Sequence, residues 1–270
     1  ITLELLGRSK ESQSLTFGVL SILRIAAQDE SMVDLIKQND GIVTIVHAME
    51  EHYTREDLLV EGGKLLSSLC SSNDIDEAMN ILENPSSNNA QRMYAAAIIS
   101  NLSLDEQLIQ NIIQRNGIET LLGLIDDTGD NVGNIAVRAL GRLAATEEGL
   151  EQLLKHNGVT AILGALNNRR SSSEMLVSAV LTFKALAQSE GGVEAMIESG
   201  GLVSILDSVR NSPQDTNAME CMLSCLNSMI DQPAIFEIMN NEQNIQMMLD
   251  AVNAHPDSQD ITKSVASILS

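Results

Sequence analysis

The sequence predicts an all-α solenoid, and three observations carry that reading. First, a helix-capping residue followed by apolar residues at offsets +1, +4, +5 and +8 returns six times. The instances are Gly41 (Ile42, Ile45, Val46, Met49), Asp74 (Ile75, Ala78, Met79, Leu82) and Gly117 (Ile118, Leu121, Leu122, Ile125). They continue with Gly158 (Val159, Ile162, Leu163, Leu166), Gly201 (Leu202, Ile205, Leu206, Val209) and Asn244 (Ile245, Met248, Leu249, Val252). The steps are 33, 43, 41, 43 and 43 residues. Those offsets trace one face of a helix, and helical units repeating at this length bury their apolar faces only against their neighbours. Second, 44% of the 270 residues are hydrophobic but only 2% are aromatic, which suits close helix packing better than sheet. Third, no Pro/Gly/Ser-rich stretch interrupts the repeat. Residues 1–270 are therefore expected to form one continuous body without a linker.

The unit Leu104–Ala145 shows each element in order. LDEQLIQNIIQRN forms an amphipathic first helix with Leu108, Ile112 and Ile113 on one side. Gly117 is expected to break it at positive φ, where glycine costs least. GIETLLGLIDD is the second helix, burying Ile118, Leu121, Leu122 and Ile125. The turn formers DDTGDN follow, then a third helix, NIAVRALGRLAA, whose alanines allow close approach.

Equivalent third-helix segments read ILRIAA (22–27), LLSSLC (65–70), IISNLS (98–103), ALGRLA (139–144), FKALAQ (183–188) and CLNSMI (225–230). The junctions IIQRNGIETLL, LLKHNGVTAIL and MIESGGLVSIL join first to second helices. This combination resembles the armadillo repeat: three helices per unit, a junction glycine and an ALxNLA-like third helix. The resemblance spans essentially the whole chain. It implies a right-handed superhelix of about six repeats plus a partial first one. One unit departs from it, because only SSND separates Cys70 from Ile75, too little for a first helix, and the loop ENPSSNNAQ (83–91) is longer than its counterparts. The chain starts at Ile1, neither end shows a polar cap, and the next signature position falls one residue beyond Ser270. The array is thus expected to be a piece of a longer protein.

Charge and motifs exclude several function classes. Lys and Arg number 16 against 37 Asp and Glu, a net charge of −21 that repels nucleic acid and anionic membranes. Without Trp, base-stacking platforms are also lacking. No apolar stretch is long enough to cross a membrane. Cys70, Cys221 and Cys225 offer no disulfide framework, which points to a reducing, cytoplasmic location. Cys221 and Cys225 lie one turn apart without a histidine pair, so packed thiols are expected rather than a metal site. His47, His52, His156 and His255 are dispersed, His156 standing where a helix C-terminus favours a cation. No HExxH, GxSxG, GxxxxGK[ST] or GxGxxG motif occurs. Neither an enzyme nor a cofactor is expected, and the oligomeric state is not encoded legibly.

In the armadillo family the third helices line a concave groove that takes up extended peptides, using the Asn of ALxNLA and a residue one turn earlier. Carried over, the Asn position is Arg24, Ser68, Asn101, Arg142, Ala185 and Ser228. One turn earlier stand Leu20, Lys64, Ala97, Arg138, Leu181 and Ser224. The candidate binding residues are accordingly Arg24, Lys64, Ser68, Asn101, Arg138, Arg142, Leu181, Ala185, Ser224 and Ser228. No acidic residue falls on the twelve positions, so a basic lane suits an acidic or phosphorylated partner segment, and its Leu181–Ser228 half suits an apolar strip. A basic partner would find the acidic exterior instead. The expected function is a non-enzymatic interaction scaffold. Alternatives are a structural component of a cytoskeletal or ciliary assembly, docking by its convex face and ends, and a transport receptor or adaptor.

Overall fold

A computed structural model describes residues 2–8, 12–52, 55–125, 130–168, 173–211, 213–230 and 233–270. A partial unit opens the chain with α1 (Thr2–Arg8) and α2 (Gln13–Ala26). A full unit follows: α3 (Glu30–Gln38), α4 (Gly41–Glu51) and α5 (Glu56–Leu69). The next is short, α6 (Ser72–Glu83) and α7 (Asn89–Leu102). Four three-helix units complete the array. They are α8 (Glu106–Gln114), α9 (Gly117–Leu124) and α10 (Asp130–Leu143); α11 (Glu147–Lys155), α12 (Gly158–Asn168) and α13 (Ser173–Leu186). Then come α14 (Glu190–Glu198), α15 (Gly201–Arg210) and α16 (Thr216–Met229); α17 (Pro233–Met239), α18 (Glu242–Ala254) and α19 (Gln259–Leu269). Among the described residues every regular element is helical.

The repeat is most regular in its third helices. α2, α5, α7, α10, α13 and α16 each have 14 residues. Side-chain caps fix their starts, Ser12 accepting from the Leu15 amide and Asp215 from the Ala218 amide, while Asn88 and Gln91 form a reciprocal capping box. First helices start the same way, capped by Asp29, Asp105, Thr146 and Ser189.

Contacts gather into two compact units, Ile1–Leu121 and Leu122–Ser270. In the first, α2, α5 and α7 pack in series and α1 packs on α4. In the second, α10, α13, α16 and α19 pack in series and α12 packs on α15. The core is the second-helix stripe read from the sequence together with the inner faces of the third helices. Ile45, Met49, Ile75, Met79, Leu121, Ile162, Leu166 and Val209 are all buried, each removing roughly 1.5–3 kcal/mol of apolar side chain from water. α13 is buried over Met175–Val180 and again at Thr182, Phe183 and Leu186.

Two details differ from the sequence reading. The junction glycines do not carry the positive φ: that falls one residue earlier, on Asp40 (54°), Asn116 (56°), Asn157 (55°) and Gly200 (69°). Asn and Asp tolerate this left-handed conformation better than other non-glycine residues. Gly41, Gly117 and Gly158 instead begin the second helix, where a Cβ would stand 2.5 Å from the Ile36 carbonyl, 2.6 Å from the Ile112 carbonyl and 2.2 Å from Leu153 Cδ1. Close approach, not φ, demands them. In the last unit the buried stripe of α18 is Met247, Met248 and Ala251, and Leu249 is 42% exposed. The turn-forming stretch expected after α9 lies largely outside the described residues, at 126–129.

The short unit lacks a first helix, as expected. The loop between α6 and α7, however, is only 84–88, no longer than the 211–215 connection between α15 and α16, because Glu83 belongs to α6 and Asn89–Gln91 to α7. Only Cys70 and Ser71 link α5 to α6, and Ser71 with Asp74 closes a capping box that starts the helix without a preceding one. Lys37 at the end of α3 reaches Asp74 at 3.9 Å, and Arg115 after α8 pairs with Asp76 at 3.2 Å.

Candidate functional site

Counting from each third-helix start, the fifth, ninth and thirteenth positions are four residues apart and lie along one stripe of the helix. In the first unit these are Phe17, Ser21 and Ile25 on α2; Val60, Lys64 and Ser68 on α5; and Met93, Ala97 and Asn101 on α7. In the second unit the ninth and thirteenth positions are Arg138 and Arg142 on α10, Leu181 and Ala185 on α13, and Ser224 and Ser228 on α16.

The structure treats the candidate residues very differently. Lys64 and Ser68 are exposed, and the Ser68 hydroxyl donates to the Lys64 carbonyl of its own helix at 3.0 Å. Arg142, Leu181, Ala185 and Ser224 are half-buried, while Ser228 is exposed. Asn101 is fully buried: its amide donates to the Ala97 carbonyl at 2.9 Å and to Glu50 Oε1 at 3.4 Å, so its hydrogen-bonding capacity points inward. Arg138 is 5% exposed.

Arg24 stands one place short of the ladder. Leu23 and Leu66 are equivalent buried positions, which puts Ile25, not Arg24, opposite Ser68, and Ile25 is 61% exposed. Arg24 Nε donates instead to Glu61 Oε1 at 2.6 Å. The guanidinium holds the Glu61 carboxyl below the usual carboxylate range, against the opposing effect of burial.

Sequence reasoning passed over the fifth position. Phe17, Val60 and Met93 occupy it on three helices packed in series, and they are 38%, 41% and 38% exposed. The helix caps, which set the register, are the signal that finds them. Three apolar side chains at one register form a strip that a solvated surface does not require.

Among the described residues no group of three or more His, Cys, Asp or Glu side chains is arranged to hold a metal, and no helix is long and apolar enough to cross a membrane. The cysteines are free thiols, and burial pushes Cys70 and Cys225 up to about 12 and Cys221 up to about 11. Such thiols stay protonated and unreactive at neutral pH. His156 occupies the C-cap of α11.

No family model matches the sequence, and no curated protein matches it either. Solved structures do. A computationally designed armadillo repeat protein for modular peptide recognition aligns at a TM-score of 0.59 with 14% identity, covering 99% of this chain and 97% of the other. A second designed armadillo repeat protein aligns at 0.53 with 16% identity and 99% and 98% coverage. An engineered protein aligns at 0.61 with 13% identity and 99% and 95% coverage. With its 14-residue third helices, its first-to-second-helix junctions and this end-to-end alignment, the chain has the armadillo-repeat fold.

Proposed function

We propose that the chain is a non-enzymatic interaction scaffold that takes up a segment of a partner protein along its third helices, at the exposed fifth position of the first unit. The observation that carries this reading is the row Phe17, Val60 and Met93, apolar and exposed at one register, with Ile25 exposed about two turns further along α2. Side chains repeated at helix-to-helix spacing suit an extended segment whose alternate side chains face one way. The similarity to a designed protein for modular peptide recognition supports the same mode. In the first unit an acidic or phosphorylated segment gains the exposed Lys64. Arg24, held by Glu61, and Arg138, at 5% exposure, contribute little to that attraction. The apolar row is therefore the stronger determinant.

Selection of peptides from a random library on the wild-type chain tests this reading. Selected peptides are expected to carry apolar residues and to bind Val60→Asp/Met93→Asp about tenfold or more weakly, with helicity and melting unchanged. Undiminished binding of every selected peptide to that variant contradicts the reading.

A further inference from the structure

Second helices pack on each other in both units, α1 on α4 and α12 on α15. At the end of the second unit α18 packs on α19 and is tied directly to α15 by a hydrogen bond. Hydrogen bonds hold both ends of α18. Arg210, the last residue of α15, donates to Asn244 Oδ1 at 2.7 Å, and Asn244 Nδ2 donates to the Ile238 carbonyl at 2.8 Å. At the far end His255 Nε2 meets the Pro213 carbonyl at 2.9 Å. A carbonyl only accepts, so Nε2 carries the proton and Nδ1 accepts from the Thr216 hydroxyl at 3.0 Å.

Between these ties lies a cleft of about 640 Å³. Val209, Met219, Met247 and Ala251 form its floor, all buried and apolar. Glu242 and Asp250 stand exposed on its rim. Arg210 also lines it, but its guanidinium is engaged by Asn244 and Asp207, so the rim's carboxylates dominate its field. The volume lies within the range of ligand-binding clefts, and methionine adapts to varied apolar shapes.

We propose that this cleft docks a cationic segment of a partner protein, with one apolar side chain over the methionine floor and Lys or Arg on Glu242 and Asp250. Spacing makes the segment specific. The two carboxylates are eight residues apart on one helix, about 12 Å along its axis. An extended chain covers that distance in about four residues, with side chains i, i+2 and i+4 on one face. The pattern is therefore Lys-x-Leu-x-Lys. This site is separate from the third-helix stripe, and either proposal can fail alone.

The probe is a fluorescently labelled Ser-Lys-Ser-Leu-Ser-Lys-Ser peptide, titrated into the whole chain and followed by anisotropy. Saturable binding is expected, weakened about tenfold by Glu242→Lys/Asp250→Lys and about tenfold by replacing the peptide leucine with serine. Glu151→Lys/Glu198→Lys changes net charge equally at exposed sites elsewhere and is expected to cost less than about threefold. Three results overturn the proposal: no saturable binding to the wild type, equal losses in both double variants, or indifference to the leucine. The leucine comparison uses only the wild-type chain, so it decides the matter even where a charge-reversal variant fails to fold.

Discussion

The hydroxyl of Thr182 lies 2.8 Å from the Val137 carbonyl, joining α13 to the neighbouring α10, and 2.9 Å from the Ser178 carbonyl of its own helix. Gly141 makes this approach possible, because a Cβ there would stand 2.7 Å from Thr182 Cα. Thr182 is 1% exposed, so its hydroxyl has no alternative partner in solvent. Thr182→Val is expected to cost about 1–2 kcal/mol and Gly141→Ala about 1–3 kcal/mol, both read as lowered urea midpoints. Wild-type stability in Gly141→Ala contradicts the close packing of α10 on α13.

Arg24 and Glu61 form the corresponding tie between α2 and α5. Glu61→Gln is expected to cost about 1–2 kcal/mol at neutral pH. The carboxyl's folded pKa lies below its ordinary 4.5. Its contribution is thus complete above about pH 4.5 and disappears as pH falls through the lower folded value. The gap in stability between wild type and Glu61→Gln, measured by urea unfolding from pH 7 to pH 3, is expected to narrow only below about 4.5. A gap independent of pH places the loss in packing rather than charge.

The junction separates two backbone requirements that a sequence merges. At Asn157 the requirement is φ, and Asn157→Gly is expected to be close to neutral while Asn157→Val costs about 1–2 kcal/mol. At Gly158 the requirement is space against Leu153, and Gly158→Ala is expected to cost about 1–3 kcal/mol. Thermal melting of the three variants checks the order. Tolerance of Gly158→Ala together with intolerance of Asn157→Gly would reverse the assignment.

The fold was largely legible because a repeat multiplies weak signals. Each second helix has its own apolar stripe, and six copies at related spacing leave little choice of architecture. The missing first helix near Cys70 was equally plain, since the four residues SSND cannot form one. The site was harder to read. Asn101 has the family's residue yet turns it inward, because Glu50 and its own helix occupy the amide. Arg24 looked like a ladder residue until Leu23 and Leu66 set the register. Gly149 and Gly192 sit three residues after the caps Thr146 and Ser189, where a Cβ would strike the Leu143 and Leu186 carbonyls. That spacing was visible, but its meaning depends on how the preceding helix ends. The cleft beside α18 depends on which side that helix turns, and Leu249 fits the repeat pattern while facing solvent.

The most direct measurement observes the methionine methyl groups of the isotope-labelled chain by NMR while a library-selected peptide is added. Met93 lies on the exposed row, whereas Met219 and Met247 lie beside the cleft. Binding along the third helices is expected to shift the Met93 methyl saturably, at the concentration where anisotropy reports binding, and to leave Met219 and Met247 in place. A peptide that binds while Met93 stays unmoved would contradict uptake on the third-helix stripe.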